Sequence, residues 1–296
     1  MQWQTQRFLL DLSTPKVMGI VNVTPDSFSD AGAYVAPGAA QAHCERLVKE
    51  GAAILDIGGE STRPGAAPLP VDEELARVLP VVRHAVTLGV PVSVDTYKPQ
   101  VMQAVLDLGA DIINDVWALR WTDPQSTQTS QAVIARHANC GVCLMHMHRE
   151  PTTMQMAPME GEVVPHVLLF LQQVTHSLRA LGVEKARICI DPGIGFGKTV
   201  QQNFALLARQ AELLSLGYPV LAGWSRKSSL AAVTQRSLSA VATLDPVERM
   251  VPSVAAAVLA AQRGAHVVRV HDVKETVQAL RVLAAMQGQA TGTATP

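Results

Sequence analysis

Short apolar runs recur along the chain, each preceded by a glycine that closes an amphipathic stretch. Residues 54–57, 92–94, 112–114, 142–145, 188–190, 220–222 and 267–270 are apolar on both faces and rich in β-branched side chains, the pattern of strands buried in a parallel sheet. The stretches before them end at Gly51, Gly89, Gly109, Gly141, Gly182, Gly217 and Gly264, where left-handed C-caps are expected to close the helices. Residues 17–21, ahead of the first helix, bring the count to eight strand–helix units, with no composition shift or linker between them. Eight units favour a single-domain (β/α)8 TIM barrel of the α/β class. An open doubly wound sheet would need a nucleotide loop after its first strand, and Asn22-Val23-Thr24-Pro25-Asp26 is no such loop. Residues 1–16 read as an N-terminal flap or hairpin, 17–287 as the barrel, and 288–296, rich in Gly, Thr, Ala and Gln, as a flexible tail.

Composition narrows the function. The 24 Lys and Arg against 25 Asp and Glu leave a net charge of -1 with no basic block, which argues against nucleic acid as a partner. Hydrophobic residues make up 48% and charged residues 17%, an enzyme-like globular balance. No apolar run approaches the roughly 20 residues of a membrane span. The longest, 254–261, ends at Gln262 and Arg263, and the first 15 residues lack a basic-then-apolar signal layout, so a cytoplasmic location is expected. Four cysteines make no disulfide framework; Cys140, Cys143 and Cys189 lie in or beside strands and read as reduced core thiols, with Gly141 serving a helix-to-strand turn.

In such a barrel the active site lies at the C-terminal ends of the strands. There the sequence places Asn22, Asp56 with its loop 58–65, Asp95, Asn114-Asp115, Met145-His146, the loop 191–198, residues 223–228, and Arg269-Val270-His271-Asp272. One such acid could be a helix N-cap; a whole ring of polar residues is not explained that way. Asp95, Asn114, Asp191 and Lys227 suit a flat heterocycle with an amide edge, because a carboxylate can accept two parallel N–H bonds. Arg63, Arg269, His271 and Asn22 suit an anion, the arginines through forked bonds to phosphate and Asn22 through one oxygen to Mg²⁺.

Two tempting motifs fail. The run Gly193-Ile194-Gly195-Phe196-Gly197-Lys198-Thr199 imitates the end of a phosphate-binding loop, but Pro192 stands where that loop needs glycine. His146-Met147-His148 has the alternation of a metal-binding strand, yet only His271 ends another strand with a ligand of that kind, so core or loop histidines are the better reading.

Taken in order, residues 17–28 (VMGIVNVTPDSF), 56–65 (DIGGESTRPG), 93–98 (SVDTYK), 112–115 (IIND), 144–147 (LMHM), 191–198 (DPGIGFGK), 225–228 (SRKS) and 269–272 (RVHD) resemble the dihydropteroate synthases. The resemblance implies condensation of (7,8-dihydropterin-6-yl)methyl diphosphate with 4-aminobenzoate, with release of diphosphate. It implies that Asp95, Asn114, Asp191, Lys227 and Met145 grip the pterin, and that Asn22 with Mg²⁺, Arg63, Arg269 and His271 hold the diphosphate. Thr62 would touch the pterin or the incoming amine, and Phe28, Pro64, Phe196, Lys227 and Ser228 would shape the 4-aminobenzoate pocket. It further implies a homodimer through the outer helices and a target for sulfonamides. Two residues depart from the pattern: Arg149, where the family usually has a small residue or glycine, and Trp224, where it has a smaller or unbranched one. The alternatives are a pterin-dependent methyltransferase and a non-catalytic pterin-binding module. Arg63, residues 225–228 and Arg269 to His271 would be surplus in the first, and no expected catalytic position is lost, as it would be in the second.

Overall fold

The computed structural model describes residues 1–24, 37–62, 65–123, 126–150, 153–154, 156–234, 245 and 247–290. A hairpin of β1 (Gln2–Gln4) and β2 (Leu9–Asp11) precedes the strands β3 (Lys16–Asn22), β4 (Ile54–Gly58), β5 (Val92–Asp95), β6 (Ile112–Asp115), β7 (Gly141–Met145), β8 (Ile188–Asp191), β9 (Leu221–Ala222) and β10 (Val267–Val270). Between and after them run α1 (Pro37–Glu50), α2 (Val71–Ala85), α3 (Pro99–Asp107), α4 (Ser130–Arg136), α5 (Val163–Ala180), α6 (Val200–Ala208), α7 (Ser228–Thr234), α8 (Met250–Gln262) and α9 (Val273–Ala290). The eight-stranded sheet has the order β8-β7-β6-β5-β4-β3-β10-β9, and every ladder in it is parallel. A parallel bridge from Ile190 to Val220, with the Ile190 N–H donating to Pro219 at 2.9 Å, joins the two ends, so the sheet closes into the expected (β/α)8 barrel. The seam is the thinnest part, because β9 has only two residues.

The helices follow from local chemistry. Asp72, Glu73 and Glu74 in the first turn of α2, with Arg83 and His84 in its last, match the helix dipole at both ends. Thr199 and Gln202 form a capping box that starts α6. Six of the seven glycines expected at helix ends have positive φ; Gly141 does not. It is instead the first residue of β7, while α4 ends at Arg136. A Cβ there would press within 3.2 Å of Gln4 O and 3.3 Å of Trp3 Nε1, so this glycine admits the N-terminal hairpin rather than reversing a helix.

Inward-facing residues alternate along each strand. Met18, Ile54, Ile112, Cys143, Cys189, Leu221 and Val267 form an apolar floor inside the barrel, sealed from below by Trp3 and Leu12. The Trp3 indole donates to Arg187 O at 2.9 Å, and Arg7 pairs with buried Asp111 at 2.6 Å, which tie the hairpin to the N-terminal end of the barrel, away from the strand ends that carry the polar residues. All four cysteines are free and buried. The last helix reaches Ala290, past the start expected for the tail, and 291–296 lie outside the described residues. Among the described residues no helix is long and apolar enough to cross a membrane.

Candidate functional site

Two residues beyond the apolar floor, the same alternation converts Ile54 to Asp56, Ile112 to Asn114, Cys143 to Met145, Cys189 to Asp191 and Val267 to Arg269. A polar layer therefore lies directly over the hydrophobic one. At its centre Arg269 donates from Nε to Asp56 Oδ2 at 2.6 Å and from Nη2 to Asp95 Oδ2 at 2.9 Å, while Asn114 Nδ2 donates to the same Asp56 oxygen at 3.2 Å. Burial pushes the Asp95 carboxyl up to about 7 against the opposing pull of Arg269. Asp191 is also raised by burial, although the Gly193 N–H donates to its Oδ1 at 2.7 Å. Lys227, lowered by burial and by Arg269 to about 8, senses both Asp191 and Asp95. Thus the four residues assigned to the heterocycle meet in one electrostatic field at the barrel mouth.

The sequence expects Arg269 to serve an anion. Here its fork is held by two carboxylates, because a buried guanidinium at this depth needs anionic partners. It is thereby tied to Asp95, one of the residues expected to serve the heterocycle. His271 stands beside it in the next loop, with Nδ1 2.9 Å from Ser225 Oγ and its backbone N–H donating to that hydroxyl at 3.1 Å. Arg226, at φ 60°, reaches Asp272 at 2.8 Å, so the loops after β9 and β10 are pinned together and Lys227 is set in place.

The glycine-rich loop after β8 has a different purpose from a phosphate loop. Gly193 and Gly197 have positive φ, and a Cβ on them would collide with the carbonyls of His146 and His148. Buried Lys198 donates to the carbonyls of Gly193 at 2.7 Å, Phe196 at 3.1 Å and His146 at 3.3 Å. Those bonds pull the loops after β7 and β8 together and present Phe196 under Lys227, whose Nζ is 4.3 Å from the ring centroid. Burial lowers Lys198 to about 7.

Other expected residues fall as follows. Met145 is buried among Tyr97, Val116, Met147, Met154 and Phe196, in register with Asp191. Ser228 begins α7 and is exposed, Thr62 is partly buried in the loop after β4, and Asn22 ends β3 partly buried beside Gly58. Phe28, Arg63 and Pro64 lie outside the described residues. His146 is buried edge-on to Phe170, 4.9 Å between centroids, with burial holding it down to about 2; it is a neutral core histidine. Among the described residues no three His, Cys, Asp or Glu side chains gather as a metal cage. The single amide oxygen of Asn22 fits only an ion that takes most of its ligands from a substrate and water.

The sequence pattern does not single out two groups of the site. Asp56 ends a strand with no role that the pattern assigns, and its link to Arg269, 213 residues away, is invisible to local pattern. The loop carrying Thr62 is anchored by Glu60, which accepts from Lys98 and, at 2.9 Å, from the Tyr97 hydroxyl, while Lys98 also binds Glu74 at 2.5 Å. Lys98 closes the 93–98 motif, but no local pattern links it to Glu60 or Glu74. Arg149 adopts φ 61°, which is the reason a glycine suits that position. Trp224 is buried against Phe204 at 5.3 Å, so its bulk fills core rather than deforming the mouth.

Residues 18–271 match the pterin-binding enzyme family. The chain is 46% identical to dihydropteroate synthase of Neisseria meningitidis serogroup B over 289 residues, covering 96% of this chain and 97% of that one. It superposes on Burkholderia cenocepacia dihydropteroate synthase complexed with 7,8-dihydropteroate with a TM-score of 0.85 at 46% identity, covering 98% of each chain. The Yersinia pestis enzyme with a sulfonamide drug complex gives a TM-score of 0.88 at 40% identity, covering 97% of this chain and all of that one.

Proposed function

The chain belongs to the dihydropteroate synthases of the pterin-binding enzyme family, and we propose the following account of how its own residues run that reaction. It joins (7,8-dihydropterin-6-yl)methyl diphosphate to 4-aminobenzoate, giving 7,8-dihydropteroate and diphosphate. The observation that carries the account is the polar layer of Asp56, Asp95, Asn114, Asp191 and Arg269 over an apolar barrel floor, with Lys227 beside it. Asp191 accepts the N–H edge of the heterocycle, Asn114 and Met145 flank it, and Lys227 donates to its carbonyl side. Departure of diphosphate leaves positive charge on the methylene and the electron-rich ring, and the Asp95 carboxylate stabilises that charge as it develops. Arg269, Arg63 and His271 attract the departing anion. The aniline nitrogen of 4-aminobenzoate is neutral near pH 7 and attacks without a strong base, its proton leaving to water or diphosphate. Its ring lies by Phe196 and Lys227, with Phe28, Pro64, Thr62 and Ser228 completing the pocket.

Mg²⁺ is the cofactor of this reading, with Asn22 as its protein ligand. When bound, it would neutralise charge on the diphosphate. Incubating the protein with Mg²⁺, the pterin diphosphate and 4-aminobenzoate should release diphosphate; no release with both substrates present would refute the reading.

Proton linkage gives a sharper expectation. Asp95 must be ionised, so kcat/KM for the pterin substrate falls as pH drops through about 7. Lys227 must be protonated, so it falls again as pH rises through about 8. The profile should therefore be a narrow bell centred between the two, because kcat/KM reports the free enzyme. A flat profile from about pH 6 to about pH 9 would contradict both assignments.

Sulfonamides share the neutral aniline and the negatively polarised opposite end of 4-aminobenzoate, so they should inhibit competitively against it. Inhibition that excess 4-aminobenzoate does not relieve would exclude the shared pocket. The reading also includes a homodimer acting in the cytoplasm. Its support is that α8 and α9 leave Val251 and Val282 each 72% exposed, and Leu259 and Met286 on the same helices exposed as well. Sedimentation at micromolar concentration should give twice the 31.6 kDa chain mass, and a monomer would end the dimer proposal.

A further inference from the structure

Reading the site as a pterin pocket gives Asp56, the buried carboxylate within its polar layer, no contact with substrate. Asp56 has no exposed surface, and its Oδ1 makes no hydrogen bond among the described residues. For stability alone, a carboxylate buried with half its head unsatisfied is a poor choice. Its other oxygen is busy: Oδ2 accepts from Arg269 Nε at 2.6 Å and from Asn114 Nδ2 at 3.2 Å.

That double acceptance has a geometric consequence. An oxygen already receiving a guanidinium N–H can only accept, so Asn114 must turn its NH2 group, not its carbonyl, toward Asp56. The amide is planar, and fixing its nitrogen fixes its oxygen on the side away from Asp56 Oδ2. The same oxygen sets the roll of the Arg269 plane, whose Nη2 then reaches Asp95 at 2.9 Å. Asp56 lies on β4, Asn114 on β6 and Arg269 on β10, so one carboxylate orients groups from two other strands.

We propose that Asp56 is the positioning residue that sets the hydrogen-bond polarity of the heterocycle site. By holding the NH2 of Asn114 it makes that residue present an acceptor, so the substrate edge lying against Asn114 has to be an N–H. The proposal rests on the pterin reading above and deepens it. It separates two kinds of flat heterocycle: one with a donor at that edge is admitted, and one with a lone pair there meets the carbonyl oxygen of Asn114 and is rejected.

The test reverses the pair. Asp56→Asn removes the acceptor-only partner, lets the Asn114 amide take either orientation, and should weaken binding of the pterin diphosphate about tenfold by titration calorimetry. The double variant Asp56→Asn with Asn114→Asp restores a donor–acceptor pair with the carboxylate on the other strand, and again places an acceptor against the substrate. It should recover at least about threefold of the lost affinity, at a melting temperature no higher than that of Asp56→Asn. A double variant that binds no better than Asp56→Asn overturns the proposal. Should Asp56→Asn not fold, the unaltered protein still decides: its Asn114 side-chain N–H protons, followed by ¹⁵N NMR, should exchange slowly with water, and fast exchange would overturn it. A protein that neither binds pterin diphosphate nor releases diphosphate refutes the functional reading instead, and leaves the amide-exchange measurement as the independent test of Asp56.

Discussion

Replacing Arg269 with Met should damage the protein twice, destabilising the fold by about 3 to 5 kcal/mol and removing measurable turnover. The stability loss arises because Asp56 is wholly buried and Asp95 nearly so, and both depend on the same guanidinium at 2.6 and 2.9 Å. Methionine fills the volume but leaves two carboxylates facing each other in a low-dielectric barrel. Asp95 already titrates at about 7 with Arg269 present, and without it the carboxyl rises further. The sign of the pH dependence follows. Between the ordinary carboxylate value of 3.8 and its folded value, the folded variant binds a proton that the unfolded chain has released. Stability therefore falls as pH rises across that window; the unaltered protein shares the fall only up to about 7, where its own Asp95 titrates, so the deficit relative to it should stay level in acid and grow from about pH 7 upward. Urea unfolding at several pH values checks this, and a deficit independent of pH would show that the carboxylates do not depend on Arg269. Turnover is lost because the residue that attracts the departing diphosphate also holds Asp95 ionised.

Asp191→Asn should abolish useful pterin binding while leaving the barrel folded. The carboxylate offers two acceptors, one of which, Oδ1, already takes the Gly193 N–H at 2.7 Å and thereby fixes the loop. An amide can keep that bond only by turning its NH2 toward the ligand, where it opposes an N–H with an N–H. The mismatch is expected to cost on the order of 2 kcal/mol or more in binding, roughly thirtyfold in affinity. Because burial already raises Asp191 above its usual range, neutralising it removes a desolvation penalty and should leave the melting temperature unchanged or raise it. Calorimetry showing unchanged pterin affinity would take Asp191 out of the site. Lost affinity together with a lower melting temperature would mark it as a loop anchor first.

Most of the barrel is legible in the chain. Eight short strands buried on both faces, separated by amphipathic helices, permit few arrangements, because their backbone groups and their two apolar faces must all be covered. The polar ends of those strands are equally legible, since a charged or amide side chain at the end of an apolar run marks where the strand leaves the core; Asp95, Asn114, Asp191 and Arg269 are read off in that way. Such local signals mislead where a residue answers to a distant neighbour. Gly141 looks like a helix cap by spacing, yet what demands a glycine there is the hairpin of Gln4 and Trp3 lying against it. Lys198 looks like the end of a phosphate loop, yet it gathers backbone carbonyls from two loops.

By itself, then, the sequence determines the alternation that sets an apolar floor beneath a polar layer, because side-chain direction along a strand has a period of two whatever the strand's partners are. Only the tertiary structure decides who meets whom in that layer. Asp56, Asn114, Asp95 and Arg269 come from four strands, and their pairing exists only after the sheet has curled far enough to bring β10 beside β3 and β9 within reach of β8. Closure also removes water from the layer, and that is the physical reason Arg269 turns to two carboxylates and Asp95 holds its proton to about 7, neither of which any window of the chain contains.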